Sequence, residues 1–119
     1  MLTLNQSQIQ KLSLACISIF VRRVVTELQT SHPAWYQKMG DAAALEYVSS
    51  QLDVARELHI TIELDVFEFI VLTVQFGKEF YLDPRCSVEV EWLKSEYVPG
   101  SSKITKLKSA ANKLNKTRG

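Results

Sequence analysis

The sequence predicts an all-α fold, and three observations carry that expectation. Apolar residues recur at i, i+3, i+4 and i+7 along each long segment, which gives every segment one water-avoiding stripe. Prolines and glycines fall between those segments, at Pro33, Gly40, Gly77, Pro84, Pro99 and Gly100. The most apolar stretch, TIELDVFEFIVLTVQFG from Thr61 to Gly77, keeps a helical stripe where a strand pattern breaks down. Ile60, Ile62, Leu64 and Val66 do alternate with polar residues as in a strand. Beyond Val66, however, Phe67, Phe69, Ile70, Val71 and Leu72 would fall on both faces of a strand. In a helix, Val66, Phe69, Ile70, Thr73 and Val74 share one side, and Phe67, Val71 and Phe76 widen it. Helix is therefore expected over strand. Because this stretch has too few polar positions for a surface face, about four core helices are expected around a buried helix at 61–76. A basic C-terminal helix follows.

The first helix is expected over Asn5 to Thr30, with Ile9, Leu12, Ile17, Phe20, Val21, Val24 and Leu28 on its stripe. Ser31-His32-Pro33 ends it, because a residue before proline is pushed out of the α region. Ala34 to Gly40 is a short aromatic connection of about one helical turn. Asp41 is placed to cap a second helix reaching about Leu58, with Ala44, Leu45, Val48, Leu52, Ala55 and Leu58 inside. Thr61 can start the apolar helix, Glu63 and Asp65 suit its positive end, and Gly77 suits its C-terminus. Lys78 to Arg85 reads as irregular, its aromatics folding back on the core. Ser87 can cap a fourth helix running to Tyr97. After the break at Val98-Pro99-Gly100, Ser102 to Leu114 carries Ile104, Leu107, Ala111 and Leu114 on one stripe and lysines elsewhere.

A chain of 119 residues is long enough for one real core. The expected organisation is a helical bundle over 1–98 and a basic helix or tail over 99–119. A formal net charge of +1 hides an uneven distribution, because all thirteen acidic residues lie from Glu27 to Glu96. The last nineteen residues hold six basic residues and no acid, the pattern of an interacting tail. Two cysteines, Cys16 and Cys86, are too few for a disulfide framework and lack metal-ligand spacing. Two reduced thiols are expected, with a single bridge as the alternative. The apolar run Leu12 to Val21 follows polar residues and precedes two arginines. That order is wrong for a secretory signal, and the run is too short to cross a bilayer, so a cytoplasmic protein is expected.

Catalytic chemistry finds little support. His32 and His59 are isolated in links, and no HExxH, CxxC or glycine-rich phosphate loop occurs. No enzyme activity, metal or cofactor is expected. Glu63, Asp65 and Glu68 read as a solvated helix start rather than a metal or proton site. The lysine tail lacks the aromatics and arginines of base readout. A lysine face beside an Ile/Leu/Ala stripe docks more simply on the body or on an acidic partner.

The order of short motifs adds a resemblance. His32-Pro33, Met39-Gly40-Asp41, Ala55-Arg56-Glu57-Leu58-His59-Ile60-Thr61, Glu63, Asp65-Val66, Phe76-Gly77, Phe80 and Asp83-Pro84 form an ordered set. It resembles small helical proteins encoded beside effector genes of bacterial type VI secretion systems, whose pattern is "GI(T/S)xExDV…FGxxFxxDP". The match covers about residues 20 to 97. His59 stands where that family commonly has glycine, and the lysine-rich extension past Tyr97 lies outside the pattern. The resemblance implies a non-enzymatic adaptor or co-chaperone that binds a toxin effector or its spike carrier. An immunity protein that neutralises a toxin, or a nucleic-acid-binding regulator using the tail, are the alternatives. The candidate partner-binding residues are Trp35, Tyr36, Trp92, Tyr97, Lys103, Lys106 and Lys113, since aromatic anchors commonly carry interface energy.

Overall fold

Gly40 and Gly77 close helices, Pro33 and Gly100 open them, and Pro84 opens a 3-10 turn. A computed structural model describes the backbone of residues 6–118 and the side chains of residues 17–114. Its described residues form six α-helices and no strand, so the fold is all-α. The helices are α1 (Gln6–Ser31), α2 (Pro33–Met39), α3 (Asp41–Glu57), α4 (Glu63–Phe76), α5 (Val90–Lys94) and α6 (Gly100–Arg118). Two 3-10 turns, Phe80–Leu82 and Pro84–Cys86, separate α4 from α5. The side chains of Ile9, Leu12, Cys16, Lys116 and Arg118 lie outside the described residues.

The chain divides into two compact units, 1–48 and 49–119, and the division falls inside α3 rather than at residue 98. The basic helix is part of the second unit, where α6 packs along α4 and against both 3-10 turns.

In the first unit α2 packs on α1, whose Val21, Val24, Val25 and Leu28 are buried. The aromatic connection is a seven-residue helix, with Pro33 at its start where a missing N–H costs nothing. Asp41 does not act as the expected cap. Its carboxylate accepts from Arg22 Nη1 (2.9 Å), Arg22 Nη2 (3.0 Å) and the Tyr36 hydroxyl (2.8 Å). The Arg22 hydrogen bond, seconded by Tyr36, lowers the Asp41 pKa.

The second unit is built on α4. Phe69 and Ile70 are fully buried, and the Phe69 ring lies 6.2 Å from that of Tyr81. Phe80 stands edge-on to Tyr81 at 5.5 Å, so the segment after Gly77 folds its aromatics onto the core as its composition predicts. The helix starts at Glu63 rather than Thr61, behind Ile62, which has no capping side chain. Nor is it covered on all sides: Leu64 is 63% exposed, and Phe67 and Val71 are half-buried. Gly77 ends it at φ 107°, ψ 153°, a conformation outside the αL well that only glycine adopts without strain.

The end of α3 explains His59. Ile60 N–H donates to Ala55 O (2.9 Å) and His59 N–H to Arg56 O (3.0 Å), the paired bonds of a Schellman motif. That motif puts His59 at φ 58°, a left-handed position that glycine fills without a Cβ penalty. The exposed His59 side chain offers little in return. His59→Gly should therefore stabilise the protein by about 0.5–1 kcal/mol in urea titrations. His59→Ala should give no such gain.

The fourth helix is much shorter than the expected Ser87–Tyr97. Ser87, at φ 55°, closes the Pro84–Cys86 turn instead of capping α5. Glu89 and Ser95 are extended, which confines α5 to five residues.

The Pro84 turn is itself capped. Asp83 Oδ1 accepts from the Arg85 backbone N–H (2.9 Å) and side-chain Nε (3.0 Å), and Oδ2 accepts from Arg85 Nη2 (2.7 Å). The Arg85 side chain first, then its N–H, lowers the Asp83 pKa from 3.8 to about 2. Any stability from this contact is present above the unfolded value and disappears as pH falls through about 2. A carboxyl-carbon NMR titration should place the Asp83 midpoint near 2, and Arg85→Gln should return it towards 3.8.

Candidate functional site

The candidate residues divide between the two units. In the first, Trp35 is half-buried with its ring edge-on to Tyr47 at 5.4 Å, and the Tyr36 hydroxyl is held by Asp41. Both aromatics therefore have structural partners within their own unit.

In the second unit, α5 and α6 bring two candidates together. Trp92 on α5 and Lys106 on α6 line one cleft of about 260 Å³ with Ser87 and Glu89. The short α5 makes this arrangement. Extended backbone at Glu89 and the left-handed Ser87 place a hydroxyl and a carboxylate at the rim, beside the half-buried indole. The combination of an apolar wall, a cation and polar rim groups suits an amphipathic side chain or segment of another molecule. Tyr97 lies outside the cleft lining and is 89% exposed. Lys113 is exposed on α6, two turns beyond Lys106.

Lys103 requires a correction. Expected among the surface lysines, it is fully buried, and its Nζ donates to Leu58 O (2.5 Å) and Ser95 O (2.6 Å). Those carbonyls belong to the C-terminal ends of α3 and α5, where a helix dipole favours a cation. Burial lowers the Lys103 pKa. Lys103 is thus an internal pin joining three helices, and it is withdrawn from the set of surface cations. Lys108 is also engaged, through an ion pair with Glu68 at 2.6 Å.

The acidic helix start is likewise less solvated than expected. Asp65 is buried, and a Cβ built on Gly100 would lie 2.9 Å from its Oδ2. Its carboxylate therefore sits at the positive end of α6, where the absent side chain of Gly100 makes room. Among the described residues no three His, Cys, Asp or Glu side chains converge as a metal site. Cys86 is buried, its single S–H within reach of two acceptors, Phe80 O (3.3 Å) and Ala110 O (3.5 Å), and burial raises its pKa. It is a packed thiol, unsuited to nucleophilic attack.

Two features escaped the residue patterns. A second groove, of about 230 Å³, runs beside the Glu68–Lys108 pair and is lined by Phe67, Val71, Leu72 and Gln75. Phe67 and Val71, four residues apart on one helical side, are the signal in the sequence that points to it. A third cleft, of about 420 Å³, opens between Phe76, Leu82, Arg85 and Leu114. It depends on the two 3-10 turns, which leave no periodic signal. No helix among the described residues is long and apolar enough to cross a membrane.

No family model, curated protein or solved structure matches this chain.

Proposed function

We propose that this chain is a non-enzymatic adaptor or co-chaperone that binds a protein partner through its second unit, the partner being a type VI secretion effector or its spike carrier. The observation that carries the binding reading is the cleft shared by Trp92 and Lys106, with the exposed Tyr97 on the same unit. Tryptophan, tyrosine and a cation beside a concavity are the residue types that concentrate interface energy. The nature of the partner rests on the ordered motif set. Its positions are scaffold: Gly77 ends α4, Asp83-Pro84 starts a 3-10 turn, and His59 occupies the glycine-favouring position. The binding surface is accordingly assigned to residues outside those motifs.

The test is co-expression with the product of each neighbouring gene in turn, followed by size-exclusion chromatography. A co-eluting complex that Trp92→Ala weakens is expected. Separate elution of the two wild-type chains would defeat the reading. Rescue of cells from the toxin by this chain alone would make it an immunity protein instead.

A further inference from the structure

We propose that the outer side of α4 is a dimerisation surface, on which a second copy of this chain packs antiparallel about a two-fold axis midway between Phe67 and Val71. Two apolar stripes run along α4. Val66, Phe69, Ile70 and Thr73 are buried in the core, while Leu64, Phe67, Val71 and Val74 follow the three-four-three spacing of a coiled-coil seam on a different side. A helix that serves one core needs only one such stripe. The second stripe stays uncovered: Leu64 is exposed, and Phe67, Val71 and Val74 are half-buried. Beside it lies the groove of about 230 Å³, walled by Val71, Leu72 and Gln75 on α4 and by Lys108 on α6. A protruding leucine and a recess on one helix side are the two halves of a knobs-into-holes contact.

Three features commit this side to a second copy. The geometry is self-matching: about that axis Phe67 of each copy lies opposite Val71 of the other, and Leu64 lies opposite Val74. Each Leu64 then meets the Val71 and Gln75 end of the other copy's groove, and no seam residue carries a charge that burial would strand. The bordering charges are also self-matching. Glu68 and Lys108, the two charged residues lining the groove, are already joined at 2.6 Å. The axis brings this flank against its own copy with the order reversed, so two neutral pairs meet and each ammonium gains a second carboxylate. Finally, antiparallel packing sets the positive end of each α4 beside the negative end of the other. A lipid surface suits this side less well, because α4 carries Glu63, Asp65 and Glu68 and no lysine or arginine.

A single pair of 14-residue helices falls below the roughly 1,200 Å² that stable complexes bury, so the association is weak and concentration-dependent. It does not rest on the adaptor reading and leaves the Trp92 cleft open, because Lys106 and Lys108, two residues apart, point to different sides of α6.

Sedimentation equilibrium of the full chain, from about 10 µM to about 1 mM, should show monomers giving way to dimers. Leu64→Asp should weaken the dimer about tenfold or more, because a carboxylate from each copy enters the seam. Leu64 is exposed in the monomer, so the melt of a dilute sample should not fall. Lys108→Glu, which gathers four carboxylates on one flank, should weaken the dimer comparably. Leu64→Cys mixed with Val74→Cys should give a disulfide-linked pair that neither variant gives alone. The two copies of position 64 stand about 15 Å apart along the helices, too far to bridge. Monomers throughout, a dimer indifferent to Leu64→Asp, or a disulfide in Leu64→Cys alone overturns the inference. So does Leu64-dependent flotation with lipid vesicles by a chain that stays monomeric.

Discussion

Lys103→Met is expected to cost about 2–4 kcal/mol of folding stability, a large share of what a domain this size possesses. Methionine approximates the lysine stem but donates nothing, so Leu58 O and Ser95 O lose the Nζ they share at 2.5 and 2.6 Å. An unpaired buried carbonyl such as Leu58 O costs about 1–3 kcal/mol, the part-buried Ser95 O costs less, and relief from burying an ammonium offsets part of the sum. Urea denaturation followed by circular dichroism measures the difference. A loss under about 1 kcal/mol would show that these carbonyls find other donors.

The same residue sets a pH signature. Desolvation lowers the Lys103 pKa below its ordinary 10.5, so the unfolded chain holds this proton more tightly than the folded one. Folding therefore bears a cost while Lys103 is charged. That cost is relieved as pH rises through the folded value towards 10.5. A neutral amine still has a donor for each carbonyl. Wild type should consequently gain stability relative to Lys103→Met at alkaline pH. The comparison also cancels Tyr81, whose pKa burial raises and whose effect runs the opposite way. A stability gap that stays constant with pH would contradict this account of the pin.

Phe69→Ala should be at least as damaging, at about 3–5 kcal/mol. Phe69 is fully buried on α4, beside Tyr81, and its removal leaves a void that a helix held on one side by α6 cannot readily close. Phe69→Leu keeps most of the volume and should cost far less. At roughly 4–8 °C of melting temperature per kcal/mol, the alanine variant should melt well over 10 °C below wild type. Nearly equal melting of the alanine and leucine variants would mean that the site collapses around the loss.

These two residues show what could be read from the chain alone. Phe69 was legible, because a buried side of α4 follows directly from Val66, Phe69, Ile70 and Thr73 recurring at helical spacing. The helix limits near Pro33, Gly40, Gly77 and Pro99 were legible from local chemistry, because proline and glycine act on their own backbone, whatever surrounds them. The candidate site was legible in part. Trp92 and Lys106 were picked out by residue type, but their convergence with Ser87 and Glu89 depends on a five-residue α5.

Lys103 was not legible. Its spacing puts it beside the apolar stripe of α6, and a lysine there ordinarily extends to water. Only the tertiary structure aims the carbonyls of Leu58 and Ser95 at one point, 45 and 8 residues away in sequence, and so gives a buried ammonium two acceptors. His59 followed the same logic, its left-handed backbone imposed by the turn from α3 to the buried Ile60. Local sequence determined where helices run and which side of each avoids water, because those depend on neighbours a few residues away. Tertiary structure decided which polar groups are internal, because that depends on partners far along the chain.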